Sequence, residues 1–350
     1  MTPAVPGAPD LPPPSSPSSP PSAGRDPSVA QAVHAVGARL AAAGIASSRA
    51  DAVALLAHVL SVEPGEVERQ VVLRSGTLPP QARHRLVALV DERARRVPLQ
   101  HLTGRAHFRH LTLRVGPGVF VPRPETEVLV DLALSYLRRR EAVVGAEPVA
   151  GSRAERDAAS STPPVVVDLC TGSGAIAFAL ASEWPSARVH AAELDPAAAA
   201  WAERNGRELG LDVNLRSMDA AEAFPQLAGR VDLVTCNPPY IPADAVPLDP
   251  EVADHDPELA LYGGPGDGLG VPRVMALAAA RLLRPGGLLL MEHADSQGES
   301  ILAMFDGITA AEVAGEDDRP ASGGGRPAFV EVLDHPDLTG RPRVAAALRG

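Results

Sequence analysis

Lysine is missing from this 350-residue chain, whose 32 basic residues are all arginine. Set beside the abundance of alanine, proline and glycine, that absence reads as coding bias and carries no mechanism. Cysteine is nearly as scarce: two residues exclude a disulfide framework and point to a reducing cytoplasm. Aromatic residues make up only 3% of the chain, which argues against an aromatic-bearing groove for a flipped base. No apolar run approaches the roughly 18 residues of a membrane span. Met1 to about Pro27 lacks the continuous apolar stretch of a secretory signal, and its Pro/Ser/Ala composition reads as a disordered tail.

What is present suffices for a sizeable core, since 45% of residues are hydrophobic and the length fits two domains. The formal charge of −11 is unevenly divided. Ser28 to Arg123 holds 13 arginines against 6 acidic residues, a balance of +7, which leaves −17 on Pro124 to Gly350. A basic lobe joined to an acidic one suggests a partner that touches both, and chance drift on solvated surfaces accounts for the same figures.

Helical spacing from Ser28 to about Val97, punctuated by Gly44, Pro64-Gly65 and Pro79-Pro80, predicts four or five short helices in a bundle over 28–104. Ser48, with Asp51 three residues on, reads as a helix start. Leu55, Leu56, Val59 and Leu60 form an apolar stripe that serves as core. Residues 105–123 read as a linking β-hairpin, with Leu111, Leu113 and Val115 alternating before a Gly116-Pro117-Gly118 turn and Val119-Phe120-Val121. A helix is expected from about Pro124 through Leu137, while 141–163 and 307–327 read as flexible insertions.

From Val165 the pattern alternates strand, turn and helix. Strands are expected at 165–169, 187–193, 213–216, 231–236 and 287–292, with helices near 174–183, 197–209 and 269–283. Residues 329–333 and 343–348 supply a closing pair. The fold class is therefore α/β: a seven-stranded, mostly parallel, doubly wound sheet over 124–350, preceded by the helical bundle and hairpin.

Two strand ends carry the chemistry. Asp168-Leu169-Cys170-Thr171-Gly172-Ser173-Gly174 closes the first strand and opens a helix, with glycines that admit a ligand close to backbone. Its spacing is not that of a dinucleotide turn, so a pyrophosphate is not the best guest. Glu193, ending the second strand, is placed to accept from ribose hydroxyls. Asp219, after the third strand, is placed to accept from an adenine amine. Asn237-Pro238-Pro239-Tyr240 ends the fourth strand, where open α/β sheets hold their ligands. The Asn237 side-chain oxygen and the Pro238 carbonyl supply two acceptors for a planar NH2, and Tyr240 supplies a flat face. The bland readings are a glycine turn kept for packing, strand-end acids acting as helix caps and a Pro-Pro loop stop. Together the set describes a site for S-adenosylmethionine next to an amide or base. Six histidines between Ser28 and Arg123 lack metal-ligand spacing, and no metal is assigned.

These motifs resemble class I S-adenosylmethionine-dependent methyltransferases, and more narrowly the family that methylates the glutamine of peptide chain release factors. The resemblance covers about Ser28 onward. It rests further on Pro98 to Gly104 with Phe108, on Phe120 to Glu127, on Glu251 through Gly270, and on Pro285-Gly286-Gly287 with Glu292-His293. It implies that Cys170, Thr171, Gly172, Ser173, Gly174, Glu193, Asp219 and Asn237 contact or shape the cofactor pocket. It implies that Asn237, Pro238, Pro239 and Tyr240 hold a glutamine amide, with Asn237, Pro238 and Tyr240 catalytic. The expected partners are class I release factors, with no membrane, no specific DNA and a monomeric state. Two departures stand out: Cys170 occupies the family's first-glycine position, and Ala220 stands where an aromatic neighbours the adenine. Cys170 and Cys236 end strands expected to be adjacent, which raises a redox-sensitive pair beside the reading of both as packing. An adenine-N6 nucleic-acid methyltransferase and a non-catalytic cofactor-binding protein are the alternative readings.

Overall fold

The computed structural model describes residues 26–146, 162–315 and 325–350. The expected tail up to residue 25 and the centres of both expected insertions lie outside the described residues. The chain divides into two compact units, Met1–Val90 and Asp91–Gly350.

In the first unit, α1 (Val29–Ala42) is opened by a capping box in which Ser28 and Gln31 satisfy each other's backbone N–H. It buries Val29, Val33, Val36 and Leu40. In α2 (Ser48–Leu60), Leu55, Leu56 and Val59 are buried and Leu60 is half-buried, so the stripe is core as read. The cap differs: Ser47 holds the N-cap position without a side-chain bond, and Asp51 is buried in the first turn. A proline opens α3 (Pro64–Val72), where its missing N–H costs nothing. Helix α4 (Pro80–Ala94) crosses the division between the units.

The second unit begins after Val90 and includes α5 (Leu99–Thr103), closed by Gly104 at φ 68°. β1 (Arg105–Phe108) pairs antiparallel with β2 (Leu111–Arg114), so the hairpin turn falls at Arg109-His110 instead of Gly116-Pro117-Gly118. The cause is long-range. Arg109 takes a left-handed φ of 53° because its backbone N–H reaches Glu127 at 2.9 Å and its guanidinium reaches Glu183 at 2.8 Å. Tertiary ion pairs override the glycine signal. Helix α6 (Glu127–Ala146) runs past the expected end at Leu137, which makes 141–146 helical. A short helix at Ala310–Ala314 likewise lies within the other expected insertion.

The sheet contains β3 (Val165–Leu169), β4 (Arg188–Glu193), β5 (Val213–Ser217), β6 (Val231–Cys236), β9 (Leu283–Glu292), β10 (Phe329–Pro336) and β11 (Pro342–Arg349). Its order is β10-β11-β9-β6-β3-β4-β5. The five strands from β9 to β5 are parallel, and β11 runs antiparallel to both of its neighbours, β9 and β10. A separate pair, β7 (Ile241–Pro242) and β8 (Tyr262–Gly264), follows the fourth parallel strand. Along β3, Val165, Val167 and Leu169 face one core and Val166 the other, the period-two alternation of a sheet covered on both sides. Helices Gly270–Leu282 and Gly298–Asp306 cover the first face, and α6 with Ala175–Glu183 covers the second. Each fully buried leucine or valine contributes about 1.5–3 kcal/mol of transfer free energy. The polar Asp232 within β6 is tied to the Val165 N–H at 2.9 Å and to Arg140 and Arg284 at 2.8 and 2.7 Å.

β3 lies between β6 and β4, where the strand order reverses. Ligand crevices open at the carboxyl ends of strands at such a point.

Candidate active site

A cavity of about 850 Å³ opens at this switch point, within the second unit. Of the sequence-expected residues, Cys170, Gly172, Ser173, Glu193, Asp219, Asn237, Pro239 and Tyr240 line it. Thr171, Gly174 and Pro238 are not among the lining residues. Thr171 and Gly174 instead build the turn: the Thr171 hydroxyl donates to Asp168 at 2.6 Å, and the Gly174 N–H donates to the Thr171 carbonyl at 2.8 Å. Gly174 holds φ 85°, and a Cβ there would lie 2.1 Å from the Phe178 ring, so glycine is required twice over. Pro238 is buried behind the wall.

At the glycine-turn end, carboxylates are tied to their surroundings. Glu193 accepts the Gly172 N–H at 2.7 Å on one oxygen and the Asp195 N–H at 2.9 Å on the other. Burial raises its carboxyl, and those amide bonds oppose the rise. Asp168, fully buried, accepts from Thr171 and from Thr235 at 2.7 Å. Desolvation lifts it to about 7 against the pull of both hydroxyls. Asp219 caps a short turn by accepting the Ala221 N–H at 2.8 Å and also faces the cavity, so cap and ligand readings coexist there. Ala220, Ile176 and Val271 give this end an aliphatic lining.

Cys170 takes a φ of 58°, the left-handed conformation its glycine-like position demands. Its Sγ lies 3.6 Å from Met275 Sδ. Cys236 ends β6 opposite Leu169, fully buried, and burial together with the neighbouring Cys170 sulfur pushes its thiol well up. The two thiols therefore do end adjacent strands.

At the other end, the Asn237 Nδ2 donates to Thr126 Oγ1 at 3.5 Å, so the Asn237 oxygen is not engaged there. The Tyr240 hydroxyl donates to Glu292 Oε1 at 3.3 Å. Its backbone carbonyl accepts from Gln297 Nε2 at 2.8 Å, and the same Gln297 nitrogen reaches the Asp267 carbonyl at 2.7 Å. Gly268, at φ 77°, lets backbone lie flush behind Tyr240: a Cβ would meet the Tyr240 carbonyl oxygen at 2.3 Å. Burial raises the Tyr240 phenol, with the Glu292 charge adding to the rise.

Sequence reasoning assigned no roles to Thr126, Glu292, Gln297 or Arg123. Arg123 stacks over Phe120 at 5.0 Å and binds Asp256 at 2.7 Å, whose carboxyl burial lifts to about 6. Beyond it, Glu251 is clamped by Arg93 at 2.7 Å and Arg96 at 2.6 Å. Glu292 had a readable signal. It is a polar residue closing an apolar strand, the same pattern that picked out Glu193 and Asn237.

No metal-ligand cluster occurs among the described residues, and no described helix is long and apolar enough to cross a membrane. Residues 31–104 match the PrmC N-terminal domain, and 166–247 match a methyltransferase domain. A release factor glutamine methyltransferase of Streptomyces coelicolor is 45% identical over 311 residues, spanning 88% of this chain and 94% of that protein. The chain belongs to the release factor glutamine methyltransferase family. A second relative so named, from Mycolicibacterium smegmatis, is 42% identical over 91% of this chain and 96% of its own length. A 4-amino-L-phenylalanine/4-methylamino-L-phenylalanine methyltransferase of Streptomyces pristinaespiralis is 42% identical, spanning 80% of this chain and 87% of its own length. As a methyltransferase of this family the protein uses S-adenosylmethionine. The cavity fits that guest: a carboxylate and exposed glycine backbone at one end, aliphatic walls beside them, and polar acceptors opposite.

Proposed function

We propose that this chain methylates the side-chain nitrogen, N5, of the glutamine in the Gly-Gly-Gln motif of class I peptide chain release factors. The observation that carries the reading is Asn237, which lines the cavity shared with the glycine turn while its NH2 is engaged by Thr126. An amide oxygen left open there accepts an N–H from a planar NH2 group. Tyr240, which lines the same cavity, packs on the carboxamide face. Bound S-adenosylmethionine supplies an already activated methyl group. The chain's own contribution is alignment, removal of water and acceptance of charge from the nitrogen as it becomes positive. Glu193 accepts from the ribose hydroxyls, Asp219 from the adenine amine, and the Cys170–Gly174 turn shapes the remaining wall. Release factors work in the cytoplasm, where this reading places the protein as a monomer.

The name carried by the Streptomyces pristinaespiralis relative makes a free aromatic amine the alternative to exclude. Incubation with labelled S-adenosylmethionine and, separately, a release factor, 4-amino-L-phenylalanine and adenine-containing DNA distinguishes the readings. Transfer to the release factor, localised by mass spectrometry to the Gly-Gly-Gln glutamine, is the expected result. Transfer only to the aromatic amine or to DNA overturns it.

A further inference from the structure

The chain leaves the sheet at Asn237-Pro238-Pro239-Tyr240, and the two prolines have no N–H with which to tether it. What holds the far end of the tetrapeptide is a side chain outside the cavity wall. Gln297, 4% exposed, ends the short turn Asp295–Gln297 after β9 and is not among the lining residues. A carboxamide has two N–H hydrogens and one oxygen, and Gln297 spends all of them on backbone from three places. Its Nε2 donates to the Tyr240 carbonyl at 2.8 Å and to the Asp267 carbonyl at 2.7 Å, while its Oε1 accepts the Ala294 N–H at 2.9 Å. Tyr240 is therefore gripped at both ends by one stretch of chain: its carbonyl by Gln297 and its hydroxyl by Glu292, at 3.3 Å. The Asp267 bond carries the grip onward to Gly268, whose bare backbone lies against the Tyr240 carbonyl.

We infer that Gln297 is a positioning residue for methyl transfer: by tying the Tyr240 carbonyl to the Asp267-Gly268 backbone, it sets the tilt of the Tyr240 ring against the planar nitrogen group of the substrate. Without its two hydrogens, the Tyr240 and Asp267 carbonyls are left close together with no donor between them, and the unpaired acceptors push the two backbone segments apart. The end of the tetrapeptide then swings about its hydroxyl anchor on Glu292. A displacement of about 1 Å at a substrate-positioning group costs on the order of 100-fold in rate.

The chain has three tyrosines, Tyr136, Tyr240 and Tyr262, so ring-¹³C-tyrosine labelling of the full protein gives three sets of ring signals, with that of Tyr240 assigned by its loss in Tyr240→Phe. Gln297→Met removes both donors. Gln297→Glu has the same shape, keeps the Ala294 bond and retains at most one donor. In each, the Tyr240 ring signal should shift while the cofactor dissociation constant stays within about threefold of wild type. In turnover on a release factor, each should lower kcat by about 10- to 100-fold with KM within about threefold. In a Tyr240→Ala background the Gln297→Met penalty should shrink to less than about threefold, because the ring it aims is gone. A Tyr240 ring signal unmoved by both substitutions overturns the inference. So do penalties that add in the double variant, which a general loss of packing would produce. The turnover arm rests on the release-factor reading. A wild type inactive on release factors whose Tyr240 signal shifts as expected defeats that reading and leaves the clamp standing.

Discussion

At the glycine-turn end of the cavity, Glu193 and Asp168 have both oxygens bonded to backbone amides or hydroxyls of their own neighbourhood. At the Asn237 end, Glu292 Oε2 and Arg343 Nε are buried without a hydrogen-bond partner, Arg343 Nε standing 3.8 Å from Asp337, and both Glu292 and Arg343 line the cavity. One end is braced by its own neighbourhood before any guest arrives, and the other holds polar groups in reserve. Cofactor binding should therefore tolerate changes at the Asn237 end, whereas catalysis should not.

Asn237→Ala puts that contrast to its hardest test. Transition-state stabilisation should fall by about 2–4 kcal/mol, read as kcat/KM, while the cofactor dissociation constant moves less than about threefold. Parallel loss of cofactor binding would erase the distinction between the ends. Glu193→Ala probes the other side. Leaving the Gly172 and Asp195 N–H groups unpaired should cost about 1–3 kcal/mol of folding stability, with a matching loss of cofactor affinity by calorimetry. An unchanged denaturation midpoint would show that the turn does not depend on its carboxylate.

Glu292→Gln sharpens the comparison through pH. Burial lifts the folded-state carboxyl to about 7, above its unfolded value, so the folded protein holds the proton more tightly. Wild-type stability should therefore decline as pH rises from the ordinary carboxylate range, with the full cost present above about 7. The glutamine variant should gain on the order of 1–3 kcal/mol relative to wild type at pH 8 compared with pH 5, measured by urea unfolding. A difference independent of pH contradicts the buried titration. The smallest effect is expected from Cys170→Gly. Relief of a left-handed φ of 58° should stabilise the fold by about 1 kcal/mol, offset by lost contact with Met275. Destabilisation there would make the sulfur contacts dominant.

The glycine-turn end was legible in sequence because its residues are near one another: Asp168, Thr171, Gly172 and Gly174 fall within one strand–helix junction. Periodicity likewise placed all seven strands of the sheet, although β9 begins at Leu283, four residues before the expected 287, where it pairs with Val231. The Asn237 end was only half legible. Asn237 and Tyr240 announce themselves after an apolar strand, but Thr126 is 111 residues from Asn237, and Glu292 is 52 from Tyr240. No local pattern encodes a hydrogen bond across such separations. The hairpin was misplaced for a related reason. Glycines mark where a turn is easy, yet Glu127, Asp131 and Glu183 made Arg109 the turn.

Bare glycine backbone sits against the rear of Pro239 and Tyr240, with Gly263 and Gly268 leaving no room even for a methyl group. That stretch of chain cannot recoil when a nucleophile presses on it. A bulkier nucleophile must find its slack at the mouth, where the solvent-exposed Leu248 and Leu259 flank the opening.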